Sequence, residues 1–131
     1  MKVSDLDGVV ESWRPHSNAA GNKSSYHLET RNLLKTMFPT MSILEEVTIT
    51  LRKGQYAYLD FYIPMIKMAI EVHGEQHYKY KQHFHHTPAG FIASRKRDIE
   101  KIEWCKLNGI TIIELAYNEE IDVWRARVAG S

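Results

Sequence analysis

The stretch YLDFYIPMIKMAIEVHGEQH, from Tyr58 to His77, decides how the rest of the chain is read. β-Branched and aromatic residues alternate on both sides of Pro64, which cannot donate to a central ladder, so the segment reads as two short strands joined at Ile63-Pro64-Met65. A period of two then sorts the side chains. On the first strand Leu59, Phe61 and Ile63 share one face and Tyr58, Asp60 and Tyr62 the other; on the second, Ile66, Met68, Ile70 and Val72 oppose Lys67, Ala69, Glu71 and His73. Pairing as a hairpin would merge the two apolar rows and bring Asp60 onto the face of Glu71 and His73. Two carboxylates and an imidazole converging from neighbouring strands suit a divalent cation, because hard cations take carboxylate oxygens and two of these offset most of the charge.

Immediately upstream, Val47, Ile49 and Leu51 alternate with Thr48, Thr50 and Arg52, giving a half-buried strand over Leu44–Arg52, and Lys53-Gly54 supplies the turn into the next one. Before it, Ser24 or Ser25 caps a helix that runs to about Phe38, with Pro39 as a stop. Leu28, Leu33, Leu34 and Met37 form its expected apolar stripe. Glu29 lies in the first turn, where a carboxylate can favour the helix dipole and cap amides or face a site beside the sheet, and spacing leaves both roles open.

Downstream, GFIASRKRDIEKIEWCKLN, residues 90–108, reads as the longest helix, ended by Asn108-Gly109. Phe91, Ile99, Ile102 and Leu107, with Trp104 or Cys105, are its expected buried stripe, and Ser94, Asp98 and Lys101 share another face. The continuous apolar run Ile110 to Leu115 predicts a central strand buried on both sides. Asn118-Glu119-Glu120 then caps a short helix to about Arg127. The order is helix, three antiparallel strands, helix, strand, helix, hence an α/β (α+β) domain with an αβββαβ core and a central mixed sheet flanked by helices.

The chain has 131 residues, 44% of them hydrophobic, which suffices for one modest core and predicts a single domain over 1–131 with its core at about 24–127. Residues 1–23 are the least legible. DLDGVV at 5–10 imitates an Asp-x-Asp-Gly phosphatase signature but lacks the buried strand that motif needs before its first aspartate, so a short capped helix from Asp5 or Asp7 to Trp13 is expected instead, followed by a loop. A net charge of +1 is not that of a purely electrostatic DNA binder, so any contact with nucleic acid must come from local patches. The lone Cys105 excludes an internal disulfide, and no apolar run approaches a membrane span, which together predict a cytoplasmic protein with no membrane partner.

Between strands and long helix, YKYKQHFHHTP interleaves lysine, histidine and aromatic residues. Histidines at 77, 83, 85 and 86 match neither a zinc finger nor a His-Glu-x-x-His helix. The preferred expectation is a loop that meets DNA, with Lys79, Lys81 and His85 on phosphate; an ordinary histidine-bearing loop and a histidine-rich metal site stay open. Arg52 and Lys53 at the hairpin tip are further candidates for phosphate contact.

Asp60, then Glu71-x-His73 on the following strand, with Glu29 on the upstream helix, resembles the PD-(D/E)XK nuclease superfamily in the variant where histidine replaces the last motif's lysine. The segment IEVHGEQHY is similar to the small phage-type homing endonucleases of the EDxHD group and, more distantly, to the very-short-patch repair endonucleases. The resemblance covers about Ser25 to Glu119 and departs from the pattern at Leu59, where the motif has proline, and at His73, where it has lysine. It implies a restriction-endonuclease-like core and metal-dependent hydrolysis of double-stranded DNA with Mg2+ or Mn2+. Asp60, Glu71 and the Val72 carbonyl would hold the cation; Glu29, His73 and Gln76 would complete the catalytic group, supported by His77, Ser94 and Asp98. Arg97, Asp98 and Lys101 would border it, and Arg95, Arg97 and Lys101 would touch DNA. A homing-type enzyme, in a phage-infected bacterial host, is the expected function. A mismatch nickase or junction resolvase is the alternative within the class, and a non-catalytic DNA-binding module the alternative outside it. Cutting both strands would call for a homo-oligomer.

Overall fold

The computed structural model describes residues 1–18, 23–75, 81, 85 and 87–131. Its elements are β1 (Lys2–Ser4), β2 (Val10–Ser12), α1 (Ser25–Met37), β3 (Leu44–Arg52), β4 (Gln55–Ile63), β5 (Met68–His73), α2 (Pro88–Leu107), β6 (Thr111–Ala116) and α3 (Ile121–Ala129). From α1 to β6 this is the order αβββαβ. One mixed sheet runs β3-β4-β5-β6, antiparallel except for the last pair, which is parallel with Glu71 opposite Glu114.

Local chemistry accounts for the element ends. The Ser24 hydroxyl accepts from the His27 N–H at 3.2 Å to start α1, and the Thr87 hydroxyl accepts from Gly90 at 3.0 Å to start α2, with Pro88 at its first position. Gly54 at φ 78° makes the β3–β4 turn and Gly109 at φ 69° ends α2. Pro64–Ile66 form a 3₁₀ turn, and Lys67 at φ 48° brings the chain back as β5.

Each face of the sheet has its own core. Against one lie Trp104 and Cys105 of α2, with Val3 and Trp13 from the N-terminal segment; against the other lie Leu33 and Leu34 of α1, with Trp124 and Val128 of α3. β5 is an interior strand, buried at all six positions. β6, expected to be central, lies at the sheet edge with Thr111 and Glu114 exposed, because among the described residues its far side has no neighbouring strand. The expected stripe of α2 holds at Trp104 and Cys105, which turn inward, and is corrected at Ile99 and Leu107, which are exposed, and at Glu100, which is buried. Glu100 is inside because it pairs with Arg52 of β3.

The N-terminal residues form a hairpin, β1 with β2, in place of the expected helix. The Asp5 carboxylate accepts from the N–H groups of Asp7 and Val9 at 2.8 and 2.9 Å, so the aspartate that would cap a helix closes a turn through Gly8 at φ 86°. DLDG is therefore a hairpin turn. The hairpin docks through Asn108, whose side chain accepts from Ser4 N–H at 2.7 Å and donates to Ser4 C=O at 2.9 Å. Trp13 packs on Tyr62 and Trp104 at ring separations of 5.1 and 5.2 Å and donates its indole N–H to Thr48 C=O. The loop expected after Pro15 falls partly in 19–22, outside the described residues.

β4 changes layer at Asp60. Ala57 and Leu59 pack with Trp104, whereas Phe61 and Ile63, of the same parity, pack with Leu34, so the single apolar row expected on this strand is split. The break falls where Glu46 stands opposite Asp60: Glu45 pairs with Phe61 and Val47 with Leu59, but Glu46, at φ 53°, joins no ladder pair. Asn18 covers this irregular edge, donating to the Glu46 carbonyl at 2.6 Å and to the Glu45 carbonyl at 3.0 Å.

Glu45 joins α1 to β3. Its carboxylate accepts from Arg31 Nε and Nη2 at 2.8 and 2.7 Å and contacts His27 Nε2 at 2.8 Å. Burial alone would raise its pKa, but the hydrogen bonds from Arg31 and His27 outweigh that and hold it below the ordinary 4.5. A folded-state pKa below the unfolded one gives stability that is present above pH ~4.5 and fades as pH falls through the lower, folded value. Urea unfolding of wild type and Glu45→Gln should therefore differ most near about pH 6.5 and converge by about pH 3; a gap that persists in acid would contradict this account of Glu45.

Candidate active site

The ladder between β4 and β5 runs from Ile63↔Met68 to Phe61↔Ile70 and stops there. Asp60 and Glu71 are the first residues past its end, and they bridge the parted strands. Asp60 Oδ2 accepts from the Val72 N–H at 2.9 Å, and the Asp60 N–H faces Glu71 Oε2 at 3.4 Å. Extended backbone places a residue's N–H and C=O on the same edge, so the Val72 carbonyl lies on this side too.

Glu71 is 2% exposed. Lys101 of α2 brings its ammonium to 3.3 Å from Glu71 Oε1, yet among the described residues that oxygen receives no well-aligned hydrogen bond. Burial, and next the charge of Asp60, raise the Glu71 pKa well above the usual carboxylate range, while Lys101 pulls the other way. Burial would lower the Lys101 pKa, but Glu71, Asp60 and Asp98 more than offset it, so the ammonium stays charged. One ammonium stands beside two adjoining carboxylates and does not balance their charge. Two adjoining carboxylates, one of them with a buried oxygen that lacks a hydrogen bond among the described residues, fit a divalent cation.

His73 follows on the same side of β5, 4% exposed, with Nε2 3.1 Å from Glu114 Oε2 on β6. The hydrogen bond from His73 is the main reason the Glu114 pKa lies below its ordinary value. Asp98 is near enough to act on both Lys101 and Glu114. Asp60, Glu71, Val72, His73 and Lys101 are therefore assembled as the sequence suggested, with Asp98 beside them.

Glu29 is not among them. It is exposed, and two residues along a helix is a rotation of about 200°, which sets it on the face of α1 opposite His27. His27 is the residue turned inward: it is 4% exposed, stacks on Phe61 at 4.4 Å, and offers a ring nitrogen within 4.8 Å of carboxylate oxygens of Glu46 and Asp60. His27, Thr30 and Leu34 follow the i, i+3, i+7 spacing of the buried stripe, so a polar residue on that stripe was the available signal. Nothing local marked Glu46 or Glu114.

The expected DNA contacts are spread more widely. Arg52 bonds Gln55 at 2.6 Å and pairs with Glu100, so it is engaged within the protein. Lys53 is exposed in the turn beside it, and a cleft of about 400 Å³ between that turn and α2 is lined by Gly54, Gln55, Lys96 and Arg97 among others. Arg95 is exposed with its guanidinium 5.8 Å from the Phe91 ring centroid, and Ser94 is half-buried. Lys81 pairs with Glu75 at 3.0 Å, and its backbone N–H donates to His85 Nδ1 at 3.0 Å. Gln76, His77 and Lys79 lie outside the described residues, as do histidines 83 and 86. Cys105 is buried, which raises its thiol pKa to about 12 and leaves it inert as a nucleophile.

No helix among the described residues is long and apolar enough to cross a membrane. The chain is similar to uncharacterized protein 307L of Invertebrate iridescent virus 6, 39% identical over 59 residues that make up 45% of this chain and 30% of the viral protein. It is also similar to uncharacterized protein 033L of Invertebrate iridescent virus 3, 31% identical over 64 residues, 49% of this chain and 33% of that protein. The matches thus span about a third of these relatives, which come from viruses of invertebrates rather than from phages. No family model and no solved structure matches the chain.

Proposed function

We propose that this protein is a divalent-metal-dependent DNA endonuclease, a hydrolase of phosphodiester bonds in double-stranded DNA. The observation that carries the reading is the pairing of Asp60 with a buried Glu71 where β4 and β5 part, under the ammonium of Lys101. Asp60, Glu71 and the Val72 carbonyl would hold Mg2+ or Mn2+. A bound cation of this kind supplies Lewis acidity toward a phosphate oxygen and a water of lowered pKa. Lys101 sets a positive charge beside the two carboxylates, where charge develops as a phosphodiester is attacked. His73, kept in place by Glu114, is the group to orient or deprotonate the attacking water. Lys53, Lys96 and Arg97 flank the cleft beside the β3–β4 turn and would follow the DNA backbone.

Within this class the IEVHGEQHY resemblance supports a site-specific, homing-type enzyme, with a mismatch nickase or junction resolvase as the second reading. A single active site cuts one strand, so a monomer would nick and a two-fold oligomer would break both strands. The same reading places the protein in the cell interior with its DNA.

His73→Ala tests the assignment of the base. General-base loss typically costs about 10²–10⁴ in rate, so cleavage should fall by that factor while a gel-shift assay shows DNA affinity unchanged. Turnover equal to wild type would remove His73 from the mechanism.

A further inference from the structure

Asp60 belongs to two groups of ligands. On one side stand Glu71 and Val72; on the other, a ring nitrogen of His27 and an oxygen of Glu46 lie within 4.8 Å of each other and of an Asp60 oxygen. The second group comes from three separate elements, α1, β3 and β4, and meets where β4 changes layer.

We propose that His27, Glu46 and Asp60 form a second divalent-cation site, joined to the first through the shared Asp60 carboxylate, and that it takes a transition-metal ion such as Mn2+ in preference to Mg2+. Its role in catalysis rests on the endonuclease reading; its binding of metal does not.

Three observations beyond the cluster itself support it. The His27 ring has a carboxylate partner of the kind that fixes metal-binding histidines: Nε2 contacts a Glu45 oxygen at 2.8 Å, and where a carboxylate takes one ring N–H the other nitrogen keeps its lone pair. Arg31 holds that carboxylate with two hydrogen bonds, and Phe61 backs the ring, so the imidazole is fixed from outside the cluster. The two carboxylates that flank Asp60 each carry a lysine, Lys23 on Glu46 and Lys101 on Glu71, whereas Asp60 forms no ion pair among the described residues. The one carboxylate common to both groups is therefore the one without an ion pair of its own among the described residues.

The ligand types set the choice of metal. Oxygen-only groups suit Mg2+, whereas an imidazole with two carboxylates suits Mn2+ or Zn2+. Two cations sharing a carboxylate is the arrangement by which both the attacking and the departing oxygen of a phosphodiester can be stabilised, at a metal separation of about 3.5–4 Å. Lys23 would have to leave Glu46 as the cation enters, so lysine and metal compete for the same oxygen.

The test is Mn2+ binding without DNA, read by the loss of free-Mn2+ electron paramagnetic resonance signal and by titration calorimetry, on wild type, Glu46→Gln, His27→Ala and Glu71→Gln. Glu46 is half-buried at the sheet edge, so Glu46→Gln keeps the fold even if His27→Ala loosens α1. Wild type should bind about two Mn2+ per chain, and Glu46→Gln and His27→Ala about one, with any weak residual binding at the altered site reduced about 10–100-fold. Glu71→Gln should retain the ion that those variants lose. Mn2+ binding by Glu46→Gln equal to wild type in number and affinity would overturn the second site and leave the endonuclease reading intact. A wild type that binds no Mn2+ would overturn it as well, while plasmid cleavage in Mg2+ would decide the endonuclease reading separately.

Discussion

Asp60→Asn is expected to lower metal-dependent DNA cleavage by at least about 10³-fold, some 4 kcal/mol of transition-state stabilisation, while leaving the fold in place. The two halves of the expectation have separate causes. The asparagine oxygen can still accept from the Val72 N–H, now at 2.9 Å, and Asp60 holds no ion pair among the described residues that the change would break. What disappears is the negative charge between Glu71 and the His27–Glu46 pair, and with it the group that would share a cation. Steady cleavage kinetics on plasmid DNA, with thermal unfolding as the control for folding, measure both. A variant that melts like wild type and cuts at more than about a tenth of its rate would move the chemistry away from Asp60.

Trp104→Ala has the largest expected effect on stability. Trp104 is 1% exposed, on the inner face of α2, and touches Trp13 edge-on at 5.2 Å, so it joins the helix, the sheet and the N-terminal hairpin. Removing a buried indole from such a position typically costs about 3–5 kcal/mol, a large share of the roughly 5–15 kcal/mol that holds a domain of this size. Circular dichroism should show a melting temperature lower by ~10 °C or more. A loss under about 1 kcal/mol would mean that the hairpin and α2 do not share a core with the sheet.

The sequence carried most of the sheet because its signals there were local. Strict alternation ended by Lys53-Gly54 placed β3 at Leu44–Arg52, and Pro64 set the join between β4 and β5. The first turn of the chain was less clear because one residue served two geometries: Asp5 can accept from backbone N–H groups in a helix cap or in a hairpin turn, and only the docking of Val3 and Trp13 against Trp104 selects the second. The inward face of α2 departs from its apolar pattern for a related reason. Apolarity pointed to Ile99 and Leu107, yet Glu100 and Lys101 turn inward because Arg52 and Glu71 await them.

The same contrast runs through the site. Asp60, Glu71 and His73 were legible because a period of two on adjacent strands fixes which side chains share a face. His27 was visible only as a polar residue on a buried stripe, and Glu29 drew attention by lying in the first turn, on the wrong face. Glu46 depends on a backbone turn to φ 53° that no residue type announces, and Glu114 on a parallel pairing with Glu71 across a crossover of some forty residues. Such long-range juxtapositions leave no periodic trace in the chain.

The notch between β4 and β5 is proposed to hydrolyse DNA with a bound divalent cation. Supercoiled plasmid incubated with the wild-type protein, in Mg2+ and in EDTA, tests it most directly. The expected result is nicked or linear product that appears with Mg2+, is absent with EDTA, and is not formed by Asp60→Asn. Plasmid that stays supercoiled in every metal while a gel shift shows it bound would contradict the claim and identify the protein as a DNA-binding module.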